Sequence, residues 1–167
     1  MLFGFKIGII ASTVTFGCLS LSITNALAAA CTIAGGDIEF GVSSDVNSST
    51  SIVSELLVTC VEGPPNGTLP YSIRINNGQN GNGTERRLRS PTNGGTIRYQ
   101  LYRDAAYSAV WGDSASSAVT GSVRFNGAGF STSTSGATRI RAKLNAQDLA
   151  NAAVGIYSDT LVTSIEF

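Results

Sequence analysis

An all-β sandwich is the fold class that this 167-residue sequence predicts, and three observations carry it. Short stretches alternate apolar and polar residues with a period of two, the mark of strands with one buried face. Clusters of Gly, Asn, Ser and Pro separate those stretches at short intervals, as turns do. No stretch makes a convincing helix, and no internal repeat is visible.

The sandwich does not begin at residue 1. Lys6 is followed by an apolar run over residues 7–23 and then by Ala26-Leu-Ala-Ala-Ala30. A basic start, an apolar run and a small-residue exit read as a secretory signal that is removed. Residues 1–30 are therefore expected to be a cleaved leader and residues 31–167 a single domain, large enough for one core. Removal takes Lys6 from eleven basic residues and leaves ten against eleven acidic ones. A near-neutral chain lacks the basic excess that nucleic acid or an anionic membrane would call for.

The strands are then justified in order. Around Ile33, Ile38 and Phe40 a first strand alternates across Gly35-Gly36, where a kink or bulge is expected. Residues 45–50 form a serine-rich turn. In the next strand Leu56, Val58 and Cys60 share one face, so Cys60 lies in the core-facing row. After Pro64-Pro-Asn-Gly67 comes Tyr71-Ser-Ile-Arg-Ile75, and then a flexible Gly/Asn loop over residues 76–84. Arg86, Arg87 and Arg89 form a basic cluster that reads as a solvated edge, with an anionic ligand there as the lesser alternative. Ile97, Tyr99 and Leu101 point inward from the next strand, and residues 104–113 form an irregular link carrying Trp111, the only tryptophan. A strand at 119–125 and a small-residue loop at 127–136 precede Ile140, Ala142 and Leu144, again an inner row. Residues 145–154 are mildly helical. The final strand places Leu161, Thr163, Ile165 and Phe167 on one side and Val162, Ser164 and Glu166 on the other.

Two cysteines, Cys31 and Cys60, survive removal of the leader. In an exported chain they read as a disulfide joining the start of the first strand to the end of the second. A rival reading has Cys31 acylated, because Leu27-Ala-Ala-Ala-Cys31 has some likeness to a lipoprotein processing site.

Catalysis has no template. Without histidine there is no His-based acid–base chemistry, no Ser-His or Cys-His nucleophile and no His-ligated zinc. Neither G-x-S-x-G nor S-x-x-K occurs. Asp37 and Glu39 read as a solvated strand face, and calcium-loop spacing is absent. The glycine-rich stretch 78–83 lacks the Lys-Ser/Thr of a phosphate loop. No enzyme activity, cofactor, metal or small-molecule substrate is expected. Tyr107 and Trp111 read as a lid packing over the end of the sandwich; they could also stack on a sugar, which leaves a surface carbohydrate-binding module as an alternative.

Three pieces of the sequence together resemble the spore coat protein U family. They are Cys31-Thr-Ile33 with Phe40-Gly41 and the Val-Thr-Cys end at Cys60; Tyr99-Gln-Leu-Tyr-Arg-Asp-Ala-Ala106 with Val110-Trp-Gly-Asp113; and residues 155–167. The resemblance implies an immunoglobulin-like sandwich lacking its last strand, as in subunits of archaic chaperone–usher pili. It implies three partners: a periplasmic chaperone that lends a strand, an outer-membrane usher, and neighbouring pilus subunits that replace that strand. Export through the periplasm to the cell surface follows. On this resemblance Leu161, Thr163, Ile165 and Phe167 line one edge of the acceptor groove, with the chain ending at a chaperone-docking Phe167. Ile33, Ile38 and Phe40 line the other edge. A polymerising subunit also carries an alternating extension before its first cysteine. Cleavage after Ala28 or Ala30 leaves almost none. Either cleavage falls earlier, leaving residues 23–27 as a poor donor, or the subunit accepts a strand and gives none, as a tip or a non-polymerising coat protein would.

Overall fold

The structure is a computed structural model and describes residues 4–12, 29–42, 50–127, 133–134 and 137–167. Its strands in chain order are β1 (Gly4–Ser12), β2 (Ala30–Gly35), β3 (Ile38–Val42), β4 (Ser51–Val61), β5 (Thr68–Ile75), β6 (Arg86–Arg89), β7 (Thr96–Tyr102), β8 (Val119–Arg124), β9 (Ser133–Thr134), β10 (Thr138–Leu144) and β11 (Ile156–Glu166). Among the described residues one short helix, α1 (Ala146–Asn151), precedes β11, and one 3-10 turn spans Ala115–Ser117. The described strands outnumber the six or seven expected. The first expected strand divides at its glycine pair, the basic cluster forms β6, and β1 arises within the expected leader. The turn expected at 45–50 lies largely outside the described residues, as does most of the loop at 127–136.

Strand pairing runs β2-β4-β10-β7-β6-β11-β1-β3, with β5 joining β11 to β8 and β9 beside β4. The groups β2-β4-β10-β7 and β8-β5-β11-β1 match the two sheets of an immunoglobulin-like sandwich. A continuous ladder through β6 links them. Described pairs are antiparallel except β1 with β11, which is parallel. The switch of the first strand from one sheet to the other falls at Gly35 and Gly36, with φ of +84° and +93°. A Cβ at Gly35 would also stand 2.7 Å from the Glu55 carbonyl oxygen, so both conformation and space call for glycine.

The expected inner rows are buried. Leu56, Val58 and Cys60 meet Tyr71, Ile73 and Ile75, together with Ile97, Tyr99, Leu101, Ile140, Ala142 and Leu144, in one core. Trp111 joins them. It is fully buried, and its indole N–H donates to the Ile73 carbonyl at 2.9 Å. With no exposed face it cannot stack on a sugar, so the carbohydrate reading loses that residue.

Cys31 and Cys60 form a disulfide between directly paired positions of β2 and β4. That bond uses the Cys31 sulfur an acyl group would need, so the lipoprotein reading falls. Replacing either cysteine by serine is expected to cost about 2–5 kcal/mol in denaturant unfolding. The same loss should appear in the unaltered chain on reduction.

Helix α1 explains the mild helical signal at 145–154. The Asn145 side chain caps it by accepting from the Asp148 N–H at 3.0 Å, and Leu149 inserts into the core. Asp148 clamps β7 by accepting from Arg98 Nε and Nη2, each at 2.7 Å, and from the Arg98 backbone N–H at 2.9 Å. The side-chain bond from Arg98 holds the Asp148 carboxyl below its ordinary pKa. The group favours the fold while ionised. Its contribution is complete above the ordinary carboxylate pKa of about 3.9 and is lost as pH falls through the depressed folded value. Asp148→Asn should therefore flatten the acid limb of the stability–pH curve below about pH 4, as read by thermal melts.

Candidate functional site

β11 is interior to its sheet. One edge bonds to β5 through Thr163–Glu166 and meets β6 at Ser158. Between those contacts Asn76 extends the ladder: its backbone N–H donates to the Val162 carbonyl at 3.0 Å and its side chain accepts from Val162 N–H at 2.9 Å. The other edge faces β1, in register from Gly4 opposite Ile156 to Ser12 opposite Ser164. Across β1 lies β3, with Gly4 opposite Val42 and Ile7 opposite Ile38, and a register shift between Phe5 and Lys6. β1 therefore occupies a slot between β3 and β11. This is where an immunoglobulin-like sandwich places its last strand, beside the one before it. The segment filling it lies within the expected leader.

The slot gathers most of the residues expected at the groove. Ile38 and Phe40 are buried on β3, and Leu161, Thr163 and Ile165 are buried on β11. Among the described residues the Thr163 hydroxyl has no hydrogen-bond partner. Ile33 is placed differently: it lies on β2 opposite Val58 of β4, partly buried against the core, and not on the hydrogen-bonding edge of the slot. Phe167 follows β11 and is 48 % exposed, so the inner row ends at Ile165.

Beneath β11 a polar cluster is buried that the sequence reading missed. Asp159 accepts from the Tyr99 hydroxyl at 2.8 Å and from the backbone and side-chain nitrogens of Asn80 at 3.0 and 3.1 Å. Arg86, expected in solvent, is fully buried. Its Nε donates to the Asn76 carbonyl at 2.9 Å, Nη2 to the Ile75 carbonyl at 3.0 Å, and Nη1 to Gln100 Oε1. Burial pushes the guanidinium pKa down, opposed by the negative charges of Asp159 and Asp113. Burial, aided by Asp159, pushes the Tyr99 hydroxyl far up, which keeps it a proton donor at any physiological pH.

The loop at 76–84, expected to be flexible, is pinned through Asn80 and through Gln79 N–H to the Thr160 carbonyl at 2.9 Å. Gly78 permits this approach: its φ is +83°, and a Cβ there would stand 1.9 Å from Asp159 Oδ2. A signal for the cluster did exist. Arg86 is in phase with Leu88, and Asp159 is in phase with Tyr157 and Leu161, so both sit in inner rows of their strands.

The chemistry of the region is that of a strand-sized slot with an apolar floor and backbone edges. Among the described residues no group of His, Cys, Asp and Glu could hold a metal ion. No described helix is long and apolar enough to cross a membrane.

A family model described as Spore Coat Protein U domain matches residues 17–164. Among solved structures the chain is similar to one in the "Crystal structure of CsuC-CsuE chaperone-tip adhesion subunit pre-assembly complex from archaic chaperone-usher Csu pili of Acinetobacter baumannii". The TM-score is 0.53 at 18 % identity, over 84 % of this chain and 40 % of that one. At that identity the likeness is one of fold, and this chain spans less than half the length of the other. No curated protein matches.

Proposed function

The chain belongs to the Spore Coat Protein U domain family, and from that membership we propose that it is an exported structural subunit of a chaperone–usher pilus or surface coat, not an enzyme. The observation that carries this reading is the slot between β3 and β11, whose occupant β1 lies within the expected leader. Removal of residues 1–30 would leave two backbone edges unpaired over an apolar floor. Such edges invite aggregation unless another strand covers them. β-strand addition supplies that cover, with main-chain hydrogen bonds giving affinity and the inner row giving specificity.

A periplasmic chaperone is the first donor in this scheme, and a neighbouring subunit replaces it at an outer-membrane usher. The solved relative in fold is a subunit held by a chaperone, which supports the first partner. Ile38, Phe40, Leu161, Thr163 and Ile165 line the acceptor groove. With cleavage at residues 28–30, the subunit accepts a strand and donates none, which suits a tip position or a coat that does not polymerise.

Co-expression of residues 29–167 with the periplasmic pilus chaperone of the same source should yield a soluble one-to-one complex. Soluble, monodisperse protein from the same chain without any chaperone would contradict the reading.

A further inference from the structure

The outer face of β10, β7 and β6 concentrates positive charge on a chain that is neutral as a whole. Arg87, Arg89, Arg98, Arg139, Arg141 and Lys143 alternate outward there, while Leu88, Ile97 and Ile140 point into the core. Arg87 even stands directly opposite Arg98, a destabilising pairing of like charges. Three carboxylates answer part of this charge: Glu85 lies 2.8 Å from Arg87, Asp148 lies 2.7 Å from Arg98, and Glu55 lies 3.5 Å from Arg139. Arg141 and Lys143 have no such neighbour among the described residues.

A concavity of about 520 Å³ opens on this face, lined by Glu85, Arg98, Gln100, Tyr102, Lys143 and Asn145, with the Glu85 carboxylate held 2.8 Å from Arg87 and 3.7 Å from Arg98. Tyr107 stands at its rim. The Tyr107 ring packs edge-on against Tyr102 at 5.4 Å, and Lys143 Nζ lies 5.5 Å from the Tyr107 ring centre. Tyr107 has φ of +56°, a left-handed conformation uncommon for a tyrosine and found at ligand clamps and active sites. Asp104 holds the turn by accepting from the Ser108 and Ala109 N–H groups at 3.1 and 2.9 Å.

We propose that this concavity binds a carboxylated oligosaccharide. Lys143 takes the carboxylate, with Arg141 two residues before it on the same face of β10 adding positive charge beside the concavity, the rings of Tyr102 and Tyr107 take the apolar face of a sugar ring, and the Asn145 amide takes hydroxyl groups. Charge complementarity selects an acidic ligand. Half-buried aromatic rings around a hollow of sugar size select a saccharide over the acidic surface of a second copy. This site is separate from the strand slot, so it stands or falls independently of the assembly reading.

The test is calorimetric titration of the full chain with hexagalacturonate, with maltohexaose as the neutral control. Hexagalacturonate should bind, more weakly as salt rises, and maltohexaose should not. Lys143→Gln and Tyr107→Asn should each weaken binding about tenfold, a difference of about 1.4 kcal/mol. Asparagine tolerates the left-handed conformation, so Tyr107→Asn should keep the melting temperature. Absence of hexagalacturonate binding, equal binding of maltohexaose, unchanged affinity in both variants, or tighter binding of hexaglutamate would each overturn the proposal.

Discussion

A chain shortened to residues 29–167 is expected to lose its soluble monomeric state, and to regain it when an alternating apolar strand is fused after Phe167 through a flexible linker. The magnitude follows from what β1 covers. Its register with β11 runs over nine residues, and it pairs with β3 as well. Each backbone hydrogen bond lost is worth about 0.5–1.5 kcal/mol net. Ile38, Phe40, Leu161 and Ile165 would also regain water contact, and fully burying such a side chain is worth about 1.5–3 kcal/mol. Even partial losses of this kind match the entire net stability of an ordinary domain, about 5–15 kcal/mol. Light scattering and size-exclusion chromatography of the two chains provide the check. Substituting Leu161 by Asp should abolish rescue by the fused strand, because the carboxylate would enter the apolar floor without a partner.

The second large effect is expected at Arg86. Arg86→Ala removes the donor to two backbone carbonyls and to Gln100, leaving buried acceptors unsatisfied at about 1–3 kcal/mol each. A loss of about 3–5 kcal/mol is expected, the range for removing one member of a buried charged network. Arg86→Met fills much of the volume but supplies no donors, so it should recover little. Tyr99→Phe should cost less, about 1–3 kcal/mol, because Asp159 keeps its two bonds from Asn80. Chemical denaturation of the strand-complemented chain measures all three. A smaller loss for Arg86→Ala than for Tyr99→Phe would contradict the assignment of Arg86 as the principal tie.

The two regions differ in how far the sequence revealed them. Alternation placed Leu56, Val58, Cys60, Ile73, Ile97, Leu101, Ile140 and Leu144 correctly in the core, because a strand with one wet face writes its burial into every second residue. Pairing between strands leaves no such local trace. The slot is therefore legible only through the family resemblance, and the sequence of its present occupant carries only the marks of a leader. Arg86 escapes the pattern for a related reason. An arginine in a short run of arginines looks exposed, whereas its burial depends on acceptors at Ile75 and Asn76 that strand alternation does not reveal. Phe167 shows the reverse. Its phase is right, but β11 ends at Glu166 and leaves the last ring half in water.

The most direct test of strand acceptance is hydrogen exchange at the backbone amides of β3 and of the β1-facing edge of β11. It should be measured on residues 29–167 bound to the periplasmic chaperone and on the full chain. Both should protect β3 and that edge of β11 to a similar depth, since a strand occupies the slot in each. Rapid exchange there in the chaperone complex, with protection confined to β4, β7 and β10, would contradict a strand-accepting groove between β3 and β11.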